Sequence, residues 1–192
     1  MRIEICGGIA SGKTTLANAL GMALNLEVIR EEYRANPFLD DFYLAPGRFA
    51  FETEVSFLLQ HFHAIKASSS DPMICDYSLN QDYAYAKNNL SASELTAFEQ
   101  IYRELAHQVG APSVILRTYC PPNLALQRIR DRGRRNESEI KVEYLEGLSA
   151  RIDDELNNVD IKIVSVDTSL TDYRDWDAAK HSISRLLSEI RS

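Results

Sequence analysis

Apolar positions along the chain follow two rhythms. Compact runs rich in β-branched residues occur at 2–6 (RIEIC), 26–29 (LEVI), 73–76 (MICD), 113–117 (SVILR) and 161–166 (IKIVSV), and these read as strands. Longer stretches between them keep a helical period. In 49–67, Phe51, Val55, Leu58, Leu59 and Phe62 recur close to the i, i+3, i+4, i+7 rule. Residues 14–24, 92–109, 121–130, 142–156 and 176–190 complete the expected helices. Regular alternation of strand and helix predicts an α/β fold with a five-stranded parallel sheet covered by helices on both faces. No repeat or linker divides the chain, so residues 1–192 are read as one domain, a size that buries a sizeable core. Sheets of this kind take ligands at the carboxyl ends of their strands. The segments that follow the strands are therefore where chemistry is sought.

Composition narrows the function classes. Hydrophobic residues make up 45% and charged residues 26%, with a net charge of -7. An acidic chain lacks the basic footprint of a nucleic-acid-binding protein, but a phosphate ligand needs only a few local cations and amides. No apolar run is long enough to span a membrane. Cys6, Cys75 and Cys120 are odd in number and lack metal spacing, which suits free thiols in a reducing compartment. The first strand begins at once, without a secretory leader, and the cytoplasm is the expected location.

Gly7-Gly8-Ile9-Ala10-Ser11-Gly12-Lys13-Thr14 matches G-x-x-x-x-G-K-[ST], between an expected strand and an expected helix. Glycines allow the tight turn that points backbone N–H groups inward at a helix N-terminus, an anion cradle. Lys13 is expected on the β- and γ-phosphates of ATP, and Thr14 on Mg²⁺, with Thr15 beside them. From average residue usage, a random chain of this length contains the pattern on the order of once in a hundred. The second strand ends at Glu31 and Glu32. A carboxylate there can take the proton of an acceptor hydroxyl, but position alone favours a solvated acidic pair before a helix.

Several motifs together resemble the deoxyribonucleoside kinase family, particularly its bacterial deoxyadenosine and deoxyguanosine kinases. These are Asn36-Pro37-Phe38-Leu39, the 48–59 segment, Asp76-Tyr77-Ser78 and the arginine-rich run from Arg128 to Glu137. The resemblance covers roughly residues 1–170 and implies a three-layer P-loop kinase with a short arginine-rich lid near 130–138. It places Glu31 on the catalytic base, with Glu32 where proline is usual. It places Glu54 where a glutamine commonly pairs with the base. An ionised glutamate only accepts hydrogen bonds, which favours bases presenting donors. His61 falls where some members carry arginine, and is read more readily as an ordinary polar residue of a long helix. Asp76 implies a second Mg²⁺ partner. Tyr77 stands at the family's arginine position on the acceptor side, followed by Asp82. Arg128, Arg132 and Arg134 imply lid groups that stabilise charge on the moving phosphoryl, while Arg130 and Arg135 read as surface residues. Glu137 and, more weakly, Tyr43 imply contacts to the sugar.

The resemblance implies transfer of the ATP γ-phosphate to the 5′-hydroxyl of a purine deoxynucleoside, by a homodimer paired through its long helices. Two rival readings stand beside it. One is a nucleoside monophosphate kinase, which requires a further cationic site for the acceptor phosphate. The other is a nucleotide-binding subunit without catalysis, supported only by Tyr77.

Overall fold

The computed structural model describes residues 1–134 and 137–191. Arg135 and Asn136 of the expected lid lie outside the described residues. The strands are β1 (Arg2–Gly7), β2 (Glu27–Ile29), β3 (Met73–Cys75), β4 (Val114–Tyr119) and β5 (Ile163–Asp167). Among the described residues the helices are α1 (Lys13–Leu24), α2 (Leu39–Leu44), α3 (Pro46–Ala67), α4 (Leu79–Asn89), α5 (Ala92–Val109), α6 (Pro122–Arg132), α7 (Val142–Asn157) and α8 (Trp176–Arg191).

All five strands pair in parallel in the order β2-β3-β1-β4-β5. Period-2 side-chain alternation explains the two covered faces. Ile3 and Ile5 of β1, Val114 and Leu116 of β4, and Ile74 of β3 pack with Leu16 and Leu20 of α1 and Ile183 and Leu186 of α8. The intervening Cys6 and Ile115 turn to the opposite face, against Leu148 and Ile152 of α7. On that same face Cys75 lies in a cluster with Leu58 of α3 and Phe98 of α5. Tyr173 joins the α8 packing, whereas Trp176 at the start of that helix is 43% exposed.

The chain leaves central β1 for β2 on one side, and β4 lies on its other side. That reversal of direction opens a crevice above the carboxyl ends of β1, β3 and β4, the usual ligand position in open parallel sheets. Hydrophobic periodicity does not predict α4. Its inward residues include Asn80, Gln81 and Asp82, which face polar surroundings, so its buried side is not an apolar stripe.

Candidate active site at the carboxyl edge of the sheet

The loop from Gly7 to Thr14 leaves β1 through two glycines that the geometry requires. A Cβ on Gly7 would lie 2.2 Å from Thr118 Oγ1 and 2.6 Å from the Thr118 carbonyl oxygen, because β4 runs directly alongside. Gly12 has φ 93°, the left-handed conformation that side chains resist. The loop is braced from three sides. Gly7 N–H donates to Gln81 Oε1 of α4 at 3.1 Å. The Ser11 and Thr118 hydroxyls lie 2.9 Å apart, and Thr168 Oγ1 donates to the Ser11 carbonyl at 2.8 Å. Gly12 precedes α1, whose first-turn N–H groups have no partner within the helix. Residues 9–15 line the cleft, whereas Gly7 and Gly8 shape the turn behind it.

The cleft has a volume of about 810 Å³, within the range of small-molecule sites. Lys13 sits at its base and donates to the carbonyls of Gly7 at 2.9 Å and Gly8 at 3.1 Å. Burial lowers its pKa below the ordinary lysine value, against the pull of Glu31 and Asp76. Glu31 is fixed at the end of β2 by its own N–H, which donates to Asp76 Oδ1 at 2.6 Å. The Thr14 hydroxyl also lies near the Asp76 carboxyl and acts to lower its pKa. Phosphate loop, Glu31 and Asp76 thus form one polar cluster. Burial raises the Asp76 pKa, and Thr14 and the bond from the Glu31 N–H oppose it.

His61, from the middle of α3, joins Glu31 to α4. Its Nδ1 donates to the Asp82 carboxylate, 2.9 Å from either oxygen, and its Nε2 lies 3.5 Å from Glu31 Oε1. Its ring stacks on Tyr77 with centroids 3.9 Å apart and planes 10° apart. Burial depresses the imidazole, but the charge and hydrogen bond of Asp82 and the contact with Glu31 outweigh it and raise its pKa to about 10. Burial would raise Glu31 as well; the close contact and charge of His61, then Lys13 and Arg134, more than offset that, and its pKa is lowered.

Further out, Glu54 of α3 is 3% exposed and accepts from Asn89 Nδ2 at 2.7 Å. Tyr144 donates to Asn89 Oδ1 at 3.2 Å, which orients that amide. Burial, helped by the negative charge of Asp82, pushes the Glu54 carboxyl up to about 8 against the Asn89 bond. The expected ionised, accept-only glutamate therefore meets a burial that favours the protonated form at neutral pH. Tyr43, Tyr33 and Tyr85 also line the cleft, while Tyr83 stacks on Tyr102 away from it. Burial raises the Tyr43 hydroxyl pKa.

The arginine segment divides. Arg132 Nε donates to Glu137 Oε2 at 2.6 Å and Arg134 Nη1 to Glu137 Oε1 at 3.3 Å. The Arg134 guanidinium lies 3.6 Å over the Tyr33 ring, so the segment clasps the loop after β2. Arg128 lines the cleft and is held against the phosphate loop and the end of β5. Its guanidinium donates to Thr168 O at 2.8 Å, Thr168 Oγ1 at 2.9 Å and Ala10 O at 3.3 Å, which ties the phosphate loop to the end of β5. Tyr77 departs from its expected place on the acceptor side. It is fully buried, its hydroxyl donates to the His61 carbonyl at 3.4 Å, and it does not line the cleft, so it is not placed to touch an acceptor. A neutral ring at this position packs under an imidazole, which explains its depth. Asn36 and its neighbours hold shape: Asn36 Nδ2 donates to Thr53 O at 3.0 Å and its Oδ1 accepts from Phe38 N–H at 3.1 Å.

Sequence reasoning missed Gln81, Asn89, Thr168 and the centrality of His61. The first two ride on the unpredicted α4. Thr168 directly follows β5, a position where the strand-end rule would have found it.

The fold and the site define a P-loop phosphotransferase of the α/β class. Residues 3–192 match the family model described as "Deoxynucleoside kinase", and the chain belongs to that family of ATP-dependent kinases. It is 28% identical over 200 residues to a deoxyguanosine kinase of Bacillus subtilis (strain 168), covering 98% of this chain and 95% of that protein. It is 30% identical to a deoxyadenosine kinase of Dictyostelium discoideum, over 76% of this chain and 62% of that one. A solved structure of deoxyadenosine kinase from M. mycoides, with dCMP and a flexible dCDP bound, superimposes with a TM-score of 0.84. It is 22% identical over 100% of this chain and 99% of that one, a likeness of fold.

Proposed function

We propose that this chain, acting as one unit, transfers the γ-phosphoryl group of ATP to the 5′-hydroxyl of a purine deoxynucleoside. The observation that carries the reading is the meeting of three groups at one cleft: a phosphate loop with Lys13, the carboxylate of Glu31, and a sheltered pocket around Glu54 and Asp82. The first suits the donor, the last a heterocyclic base, and Glu31 stands between them.

In the reaction the 5′-oxygen forms a bond to Pγ while the bond from Pγ to the β,γ-bridging oxygen breaks, and ADP leaves. Glu31 takes the proton of the 5′-hydroxyl; its lowered pKa keeps it in the ionised form that a general base requires. Lys13, released from the Gly7 and Gly8 carbonyls, binds the β- and γ-oxygens, and Arg132 and Arg134 bring guanidinium charge to the mouth of the cleft. Arg128 acts by holding the loop's shape. Thr14 and Asp76 offer hydroxyl and carboxylate oxygens, a donor set that fits Mg²⁺. Bound there, that ion neutralises charge on the phosphate oxygens. Among the described residues no cluster of three or more His, Cys, Asp or Glu side chains is placed to hold a metal alone, which suits an ion shared with the nucleotide.

On the acceptor side, protonated Glu54 donates from the oxygen that Asn89 does not use, and Asp82 accepts. A base with a ring nitrogen acceptor beside an exocyclic amine matches that pair, and adenine has both. The named activities of the relatives, deoxyguanosine and deoxyadenosine kinases, support a purine. Glu137 and Tyr43 face the sugar. A cytoplasmic homodimer completes the reading, supported by three free thiols and by Leu59 standing exposed on α3. No helix among the described residues is long and apolar enough to cross a membrane.

The test is a panel of deoxynucleosides and deoxynucleoside monophosphates incubated with γ-labelled ATP. Labelled purine 5′-monophosphate is the expected product. Label passing only to monophosphates, or to no acceptor at all, overturns the proposal.

A further inference from the structure

Two buried carboxyl groups, Glu54 and Asp82, a third at the cleft wall, Glu31, and a histidine converge where an ordinary core would be apolar. His61 is 3% exposed and touches two of those acids at once, Asp82 through Nδ1 and Glu31 through Nε2. Buried Nε2 has no hydrogen-bond partner, and the charged group that faces it is the Glu31 carboxylate at 3.5 Å. A neutral imidazole has one N–H and one lone pair, so it satisfies one carboxylate and presents its lone pair to the other. Two carboxylates on opposite edges of the ring suit an imidazolium, which has a donor for each.

We propose that His61 is a positioning residue held as an imidazolium, which aligns Glu31 beside the acceptor hydroxyl and fixes Asp82 toward the base. The proposal rests on the reading of Glu31 as the base. It gives His61 a role that neither its burial nor its place in the middle of α3 announces.

The surroundings favour a fixed positive charge. Glu31 comes from the end of β2 and Asp82 from α4, so carboxylates face the ring from two elements, while Glu54 of α3, whose burial favours its protonated form, lies further off. Lys13 and Arg134 also act on Glu31, but Lys13 is directed at the phosphate loop and Arg134 at Tyr33 and Glu137. Burial opposes the charged ring, and the two carboxylate contacts outweigh it. Tyr77 supplies the floor. Its ring lies parallel to the imidazole at 3.9 Å, an arrangement in which a cation meets an aromatic face. Phe57, at 5.8 Å, closes the other side. The ring therefore has little freedom, and each nitrogen keeps its acid.

The test combines a spectroscopic readout with a kinetic one. In wild-type protein at pH 7.5, the ¹⁵N spectrum of His61 should show both ring nitrogens protonated. A neutral tautomer there overturns the proposal, and this measurement needs no variant. In Glu31→Gln the Nε2 signal should move while Nδ1, still held by Asp82, changes little; equal or absent movement contradicts the geometry. His61→Gln keeps a hydrogen-bonding side chain and removes the charge. Turnover should fall on the order of 30-fold or more, with a smaller change in nucleoside KM, in protein that melts cooperatively. Wild-type turnover in that variant overturns the proposal, and should the variant not fold, the wild-type spectrum decides. Glu31→Gln turnover separates the two claims. If it is near normal, the assignment of the base fails; if it is abolished while His61→Gln is fully active, only the role of His61 fails.

Discussion

Replacing Glu54 by glutamine keeps the side chain's shape and its acceptor for Asn89 Nδ2, and removes a carboxyl that burial holds protonated. The consequence for stability has a definite sign. In the unfolded chain this group releases its proton near the ordinary value of 4.5, whereas in the fold it does so at about 8. Between those values the folded state holds a proton that the unfolded state has lost. Stability therefore falls as pH rises through that window and levels off above it. The span corresponds to about 5 kcal/mol at 1.36 kcal/mol per tenfold change, an upper bound. Relaxation and water entry from the cleft reduce it to about 2 kcal/mol, since effective dielectric values for buried sites far exceed that of dry protein. Glutamine has no such term. At ~2–4 °C per kcal/mol for a domain of this size, the variant should melt ~4–8 °C above wild type at pH 9, with the two curves meeting near pH 5. Thermal unfolding followed by circular dichroism from pH 5 to 9 measures this directly. Parallel curves across the range, or a glutamine variant that melts lower at pH 9, would refute the reasoning.

Three other outcomes follow from the loop and the core. Gly7→Ala places a Cβ against Thr118 side-chain and backbone oxygens, so it should cost ~1–3 kcal/mol and weaken ATP binding severely; unchanged ATP affinity by calorimetry contradicts the loop's packing. Thr168→Val keeps the shape but loses the bond to the Ser11 carbonyl and the acceptor for Arg128, and should cost ~1–3 kcal/mol. Its KM for ATP should rise more than its KM for nucleoside, and a rise confined to nucleoside would place Thr168 on the wrong side of the cleft. Leu148→Ala, in the packing of α7 on the sheet, should lose ~2–5 kcal/mol in urea unfolding while turnover well below the melting range stays close to wild type.

Most of the framework was legible in the sequence because parallel strands buried on both faces are nearly continuous apolar runs. Ile3, Ile5 and Cys6 in β1, and Val114 to Leu116 in β4, carry that signal to both cores. The phosphate loop was legible for a different reason: its glycines answer local demands of backbone shape, at Gly7 and Gly12. The acceptor side was harder to read. Helix α4 buries Asn80, Gln81 and Asp82 in place of an apolar stripe, so hydrophobic period could not find it, and Gln81 and Asn89 were lost with it. His61 looked ordinary because its partners lie 30 positions before it and 21 after it, at Glu31 and Asp82, and only the fold brings them together. Tyr77 was misjudged in the opposite direction. The resemblance placed it at the family's arginine position on the acceptor side, yet its ring is packed beneath His61. Glu54 was placed correctly in the pocket, but its protonation depends on burial, which pattern alone does not give.

The central claim is that Glu31 takes the proton from the acceptor hydroxyl while the loop from Gly7 to Thr14 holds the donor. Single-turnover transfer from γ-labelled ATP to a purine deoxynucleoside, comparing wild type with Glu31→Gln, tests it most directly. The account predicts that the chemical step slows by about 10²–10⁴-fold, the usual contribution of a general base, while ATP affinity stays within about threefold. Near-normal transfer by Glu31→Gln would contradict it.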